Sequence, residues 1–337
     1  EVPSASSASA MSSPCPADAM HSMPFVSVIV AAYNVETYLS HCLDSLVHQT
    51  LTNIEVLVIN DASTDNSGKI AHQYAMKYPC VRVFDCETNK GLASVRNIGL
   101  THARGQYIAF TDGDDWADIR MCEVLYNRAL ADDLDVLIAD ATVLYETTKT
   151  FGDHFDKHIR QSLDPRLRKR PFEITNEPRG LLLEPVAWTK LYKRSFLQEH
   201  GMRFEEGMNS YEDVCFHFWV MLKAKRISLI DQAFLFYRQN RPGQISGRTN
   251  RKVFEVFEVF RKIHGNLTTW QVSDDVWAML IRVQLRQFDW MLKERVQPAD
   301  RREFLAKVAE AFNKIPEGGF KEAVHHTNSH ERLIIFC

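Results

Sequence analysis

The sequence has no apolar run approaching the ~18 consecutive residues of a membrane-crossing helix, so none of it reads as a bilayer span. It also lacks a surplus of base, with 40 Lys and Arg against 43 Asp and Glu and a formal net charge of −3. A dedicated nucleic-acid binder carries the opposite balance. The seven cysteines (Cys15, Cys42, Cys80, Cys86, Cys122, Cys215 and Cys337) are scattered, and none belongs to a CxxC pair. That disfavours both a disulfide framework and a thiolate zinc site, and fits a reduced, cytoplasmic setting. No GxGxxG follows the first apolar run, no GxxxxGK[ST] surrounds Ser67-Gly68-Lys69, and no HExxH occurs. Dinucleotide oxidoreductases, P-loop enzymes and helical zinc proteases thereby lose their marks.

What is present is ample core material: 337 residues, 45% of them apolar, suit one large or two ordinary domains. Residues 1–24 are rich in Ser, Ala and Pro without a periodic face. They read as a disordered tail and, lacking a basic start and an apolar stretch, not as a secretory signal. From Phe25 the pattern changes. VSVIVAA (26–32) and IEVLVIN (54–60) are β-branched runs of the kind buried on both faces of a sheet. VRVFD (81–85), QYIAFT (106–111) and DVLIAD (135–140) follow as strands, with helical periodicity between them at 67–78, 92–102 and about 118–131. Such alternation predicts an α/β fold built of βαβ units around a mostly parallel sheet. Regularity fails over 149–180, a basic and proline-containing stretch read as a long excursion or flexible loop. It resumes with helical spacing at 211–224 and a strand at 226–238. Beyond 250 the chain reads as helical, at 253–263, 276–296 and 301–312.

In an open parallel sheet, ligands bind beyond the carboxyl ends of the strands. Those ends carry Asn34, Asp61, and Asp112, Asp114 and Asp115. Carboxylates crowded into one crevice repel unless a cation compensates. An all-oxygen set suits Mg²⁺ or Mn²⁺, which takes few protein ligands plus phosphate oxygens, so a metal-bound diphosphate is the expected partner. Each block alone has a blander reading: DGDD as a turn, and DASTDNS as a loop feeding a helix N-cap. Their order within one βαβ series is what favours a site.

That order resembles the family-2 inverting glycosyltransferases, enzymes of the GT-A fold that transfer a sugar from a nucleotide-sugar donor. VSVIVAAYN (26–34) is similar to the family's first strand and base-contacting turn. VLVINDASTDNS (56–67) is similar to VDDGSTDxS, with Asn60 and Ala62 as departures. ETNKGLASVRNIGL (87–100) resembles NxGxxxARNxG, and FTDGDDW (110–116) the metal-binding DXD block. AWTKLYKRSFL (187–197) and YEDVCF (211–216) resemble the acceptor-side blocks. The resemblance implies that Ala32, Tyr33 and Glu36 line the base pocket and that Asp61 accepts a hydrogen bond from the base. A carboxylate acceptor matches the imide N–H of uracil, so a UDP-sugar is the expected donor. Arg96 is placed on the donor phosphate or sugar, Asp112 on the ribose or metal, and Asp114 on the metal, Mn²⁺ or Mg²⁺. Asp213 takes the position of the catalytic base, with Glu212 as its orienter or an acceptor contact. The competing reading of that pair is ordinary acids in a helix's first turn. Trp188 is a candidate for stacking on a sugar, Lys190 for reaching phosphate or acceptor, and Arg238, Arg241 and Ser246 for closing over the diphosphate.

The expected organisation is a disordered tail (1–24), a GT-A domain (25–249, divided into a nucleotide-binding half, 25–116, and an acceptor-binding half, 117–249) and a helical region (250–337). The last is read as packing in the core or against a second subunit, ahead of peripheral contact with the inner face of a membrane. Its ending at LIIFC is read as a truncation. The acceptor implied is a glycan or glycolipid hydroxyl in bacterial surface polysaccharide synthesis. The alternative is a catalytically silent nucleotide- or sugar-binding module of a biosynthetic complex.

Overall fold

The computed structural model describes residues 23–207, 211–242, 244 and 251–326. The tail (1–22), Cys15, Ser246 and Cys337 lie outside the described residues.

The two β-branched runs form the central strands β1 (Val26–Ala32) and β2 (Ile54–Asn60). Side chains on both faces are buried there, as in parallel sheets covered on both sides. They pair in parallel with each other, with β3 (Val81–Asp85) outside β2, and with β4 (Tyr107–Asp112) on the other flank of β1. The crossover helices are α1 (Glu36–Val47), α2 (Ser67–Lys77) and α3 (Leu92–His102). Beyond β4 the sheet becomes mixed. It takes in β5 (Trp116–Ala117), β6 (Val136–Tyr145), β7 (Thr150–Asp153), β8 (Lys190–Lys193) and β9 (Ile227–Gln239). The strand order is β3-β2-β1-β4-β8-β6-β9-β5, with β7 paired to β6. The long β6–β9 pair is parallel, while β8, β7 and β5 pair antiparallel.

Helices cover both faces. Leu39, Leu43 and Leu46 of α1 pack on Val28 and Val30 on one side, together with α4 (Met121–Ala131). On the other side α3 lies so close to β1 that a Cβ at Gly99 would fall 2.3 Å from Ile29 Cγ2. The same core continues through α7 (Glu212–Lys223) into α8 (Glu255–Trp270) and α9 (Asp274–Glu294). The Phe- and Val-rich face of α8 is thus buried through Val256, Val259, Phe260 and Ile263. Two further helices, α10 (Arg301–Phe312) and α11 (Glu317–His326), complete the described chain. Among the described residues no helix is long and apolar enough to cross a membrane.

The reading of 149–180 as a loose excursion is corrected. The stretch holds β7, α5 (Lys157–Ser162) and the single turns Pro165–Arg168 and Pro178–Leu182, with α6 (Arg194–Glu199) following β8. Leu163, Leu167, Phe172 and Ile174 anchor it in the core. Buried Arg160 donates to the carbonyls of Ile138 and Ile230, tying it to β6 and β9. Its anchors are spaced too irregularly to show a period in the sequence.

Candidate active site

Asp112 is the last residue of β4, and the chain turns at once: Gly113 N donates to Ala31 O (2.8 Å) and Asp115 N to Asp112 O (3.0 Å). The turn buries Asp114 and Asp115. Burial, then the neighbouring Asp114 and Asp112 charges, push the Asp115 carboxyl well above its usual range. Its Oδ1 accepts from Arg238 N (2.7 Å), and its buried Oδ2 has no partner. Burial also raises Asp114, against the pull of Arg241, whose Nε pairs with the Asp114 carboxylate. Arg238 donates to Asp114 O (2.8 Å) and Glu146 (2.7 Å). Its guanidinium lies over the rings of Tyr38 and Trp116 at 4.7 and 4.8 Å.

The first turn of α7 meets this strand end through Arg96. Although α3 could have carried Arg96 outward, the guanidinium is buried. It donates to Asp213 (2.6 Å), Glu212 (3.3 Å) and Asp112 (3.2 Å). Burial raises both α7 carboxyls, Glu212 to about 7 with Asp213 as the next cause. The shorter contact with Arg96 favours the ionised form at Asp213. Residues 116 and 117 positions apart are thereby joined.

At the far end of the crevice the β1–α1 turn is laced to the DASTDNS loop. Asn34, with φ of 52°, accepts from Thr64 N (2.8 Å). Glu36 accepts from Asn66 N (2.9 Å) and its side-chain amide (2.7 Å). Tyr33 is exposed and Ala32 buried. The buried Asp61 carboxylate accepts from Lys90 N (2.7 Å) and Gly91 N (3.0 Å), one amide on each oxygen. Gly91, with φ of 83°, makes that approach possible. Asp61 thus fixes the loop entering α3, and its carboxylate keeps lone pairs for a further donor.

The acceptor-side candidates lie deeper than their sequence suggests. Trp188 is buried, stacked on Tyr237 (5.1 Å) and edge-on to His154 (5.3 Å). Lys190 is also buried, with its ammonium donating to the carbonyls of Glu184 (3.0 Å) and Val186 (2.5 Å). It therefore holds the loop that carries Trp188. Of the four aspartates expected to converge, Asp112, Asp114 and Asp115 lie near one another, and two of the four have carboxylates engaged by backbone amides. Asp61 is turned to the amides before α3, and Asp115 to the Arg238 backbone. The remaining pair, Asp112 and Asp114, fits Mg²⁺ or Mn²⁺, which binds through one or two carboxylates together with substrate phosphate.

A second group, Asp140, His154 and Asp156, brings potential ligand atoms within 4.8 Å of one another. Asp140 is delivered there by a register shift in β6. Arg160 and Lys190 act on these acids as countercharges, so the group is balanced as it stands. Sequence reasoning missed Tyr38, Glu146 and the roles of Trp116 and Asp115. The run DGDDW, acids followed at once by an aromatic, was the available signal for the last two.

Comparison with known proteins gives the family and the fold. Residues 27–201 match Glycosyl transferase family 2, more than half of the chain. The chain belongs to that family. It is 35% identical over 234 residues to EpsH of Bacillus subtilis, covering 69% of this chain and 65% of EpsH. It is 30% identical over 226 residues to the poly(ribitol-phosphate) beta-glucosyltransferase of Bacillus spizizenii, covering 65% of this chain and 33% of that protein. It thus spans less than two thirds of either relative. The crystal structure of S. aureus TarS 1-349 in complex with UDP-GlcNAc superposes with a TM-score of 0.71 at 23% identity, covering 88% of this chain and 83% of that one. This likeness extends the shared fold beyond Gly201, where the family match ends.

Proposed function

We propose that the protein is a metal-dependent, inverting glycosyltransferase. It moves a sugar from a UDP-sugar to a hydroxyl of a glycan or glycolipid in surface polysaccharide synthesis. The observation that carries the reading is the Arg96 bridge, because it brings the strand end bearing Asp112 to the acids of α7. The UDP choice is supported by Asp61 at the base end of the crevice and by the UDP-GlcNAc held by the TarS fold relative.

In this reading Asp213, kept ionised by Arg96, takes the proton from the attacking acceptor hydroxyl. Such a base contributes ~10²–10⁴-fold. Glu212 shares Arg96 with Asp213 and Asp112 and sits beside the base. One displacement by the deprotonated hydroxyl inverts the anomeric centre. Asp112 and Asp114 would hold a divalent ion, which when bound would supply Lewis-acid stabilisation to the departing diphosphate. Tyr33 and Glu36 border the base, and Asp61 accepts its imide N–H.

A panel of nucleotide sugars screened by thermal shift with Mn²⁺ identifies the donor, and turnover then tests the roles. Asp114→Asn abolishes metal-dependent release of nucleoside diphosphate. Asp213→Asn binds donor as the wild type does and fails to transfer. Equal turnover in all three proteins overturns the assignment.

A further inference from the structure

We propose that Arg241 is an internal stand-in for the divalent cation, which must leave the Asp114 carboxylate before a metal ion binds there. The proposal rests on the reading of Asp112 and Asp114 as metal-holding residues and goes beyond it by assigning what occupies Asp114 beforehand.

Among the described residues three guanidinium groups reach this acidic strand end, and two are committed to partners other than the Asp114 carboxylate. Arg96 is divided among Asp112, Glu212 and Asp213. Arg238 is held by Glu146, by the Asp114 carbonyl and, through its own backbone N–H, by Asp115. Arg241 pairs with the Asp114 side chain itself. That carboxylate is 11% exposed and lies near Asp112 and Asp115, so a positive charge belongs beside it.

Arg241, its side chain 11% exposed, is held mainly by Asp114 among the described residues. It follows the end of β9, after Asn240 with φ of 62°. Among the described residues, its other contacts are the neighbouring Pro242 carbonyl (3.1 Å), the Tyr38 ring (5.6 Å) and, at its own backbone carbonyl, Gln244 N (3.3 Å). A guanidinium and a divalent ion on one carboxylate oxygen repel each other, so the ion displaces the side chain. The freed guanidinium is then available to a second anion at the same strand end, and a diphosphate fits it in charge and geometry. Metal and nucleotide binding are coupled through one residue as a result, and reciprocally.

The test is Mn²⁺ binding to the full chain, followed by the electron paramagnetic resonance of free Mn²⁺, with and without UDP. Four proteins are compared: wild type, Arg241→Gln, Arg241→Lys and Asp114→Asn. Without UDP, Arg241→Gln binds Mn²⁺ about tenfold more tightly than wild type, and Arg241→Lys stays close to wild type. UDP tightens Mn²⁺ binding more in wild type than in Arg241→Gln. If Arg241→Gln binds Mn²⁺ no more tightly than wild type while Asp114→Asn loses it, the stand-in role is overturned and the metal reading survives. If Asp114→Asn holds Mn²⁺ as wild type does, or no protein binds it even with UDP, the metal reading fails and takes this proposal with it.

Discussion

Single charged side chains at this site are legible only when their partners are known. Arg96 would be an ordinary helix arginine but for three carboxylates delivered by β4 and α7. Lys190 is the reverse case, a residue expected at the ligand and found under a loop. Burial lowers its ammonium from 10.5 to about 8, although the Asp156, Asp213 and Glu184 charges pull it upward. Between about pH 8 and 10.5 the unfolded chain therefore holds a proton that the folded chain has released. Stability rises with pH across that window, and below it the full penalty of burying the charge, about 3 kcal/mol, is present. Relative to Lys190→Met, the wild type should gain several degrees in Tm from pH 7.5 to 10. A constant difference between the two melting curves would contradict the burial account. The acids themselves were readable, since Asp61 and Asp112 close β-branched runs and strand ends are where this architecture binds ligands. The Arg96 bridge was not, because it depends on α3 and α7 meeting.

At the scale of elements, the contact that sets the sheet–helix distance beneath the crevice is the approach of α3 to β1. Helix propensity favours Gly99→Ala by up to about 1 kcal/mol. Packing opposes it, because the new Cβ would meet Ile29 Cγ2 at 2.3 Å and Cδ1 at 3.0 Å. Overpacking of this kind costs about 1–3 kcal/mol, so the net effect is destabilising. It should also tilt α3, which carries Arg96, and so reduce transfer beyond the loss of stability. Ile29→Ala removes the opposing atoms at its own cost of about 2–5 kcal/mol. In the double variant the two losses should fall short of their sum by at least about 0.5 kcal/mol in urea unfolding. Strict additivity would mean that the helix moves away rather than pressing on Ile29. The βαβ half of the fold was visible because its strands are buried on both faces and read as unbroken apolar runs. The 149–180 stretch was not, since single anchors such as Arg160 and Phe172 have no period to detect.

For the whole molecule, the question is whether the C-terminal helices are an appendage or part of the body. The sequence allowed core packing, a second subunit or a membrane surface, because an amphipathic helix serves all three. The structure puts the apolar face of α8 against α7, and one core runs from Ile29 and Phe110 of the sheet through Phe216 and Val220 to Phe260 and Leu280. Phe204 and Phe216, stacked at 3.9 Å, sit between the two parts, with Phe204 also over Arg96 at 5.3 Å. The α7 turn bearing Asp213 is therefore supported from behind by helices that lie beyond the family match. A chain ending at residue 250 would expose the apolar face of α7, including Val214 and Phe218. It should lose the cooperative melt of the full chain, bind an apolar dye, and release no nucleoside diphosphate from any donor. The full chain should unfold in a single transition by both circular dichroism and tryptophan fluorescence, with four of its six tryptophans, Trp219, Trp270, Trp277 and Trp290, lying on α7, α8 and α9. A truncated chain with an unchanged Tm and intact turnover would show instead that the sheet and its site stand without those helices.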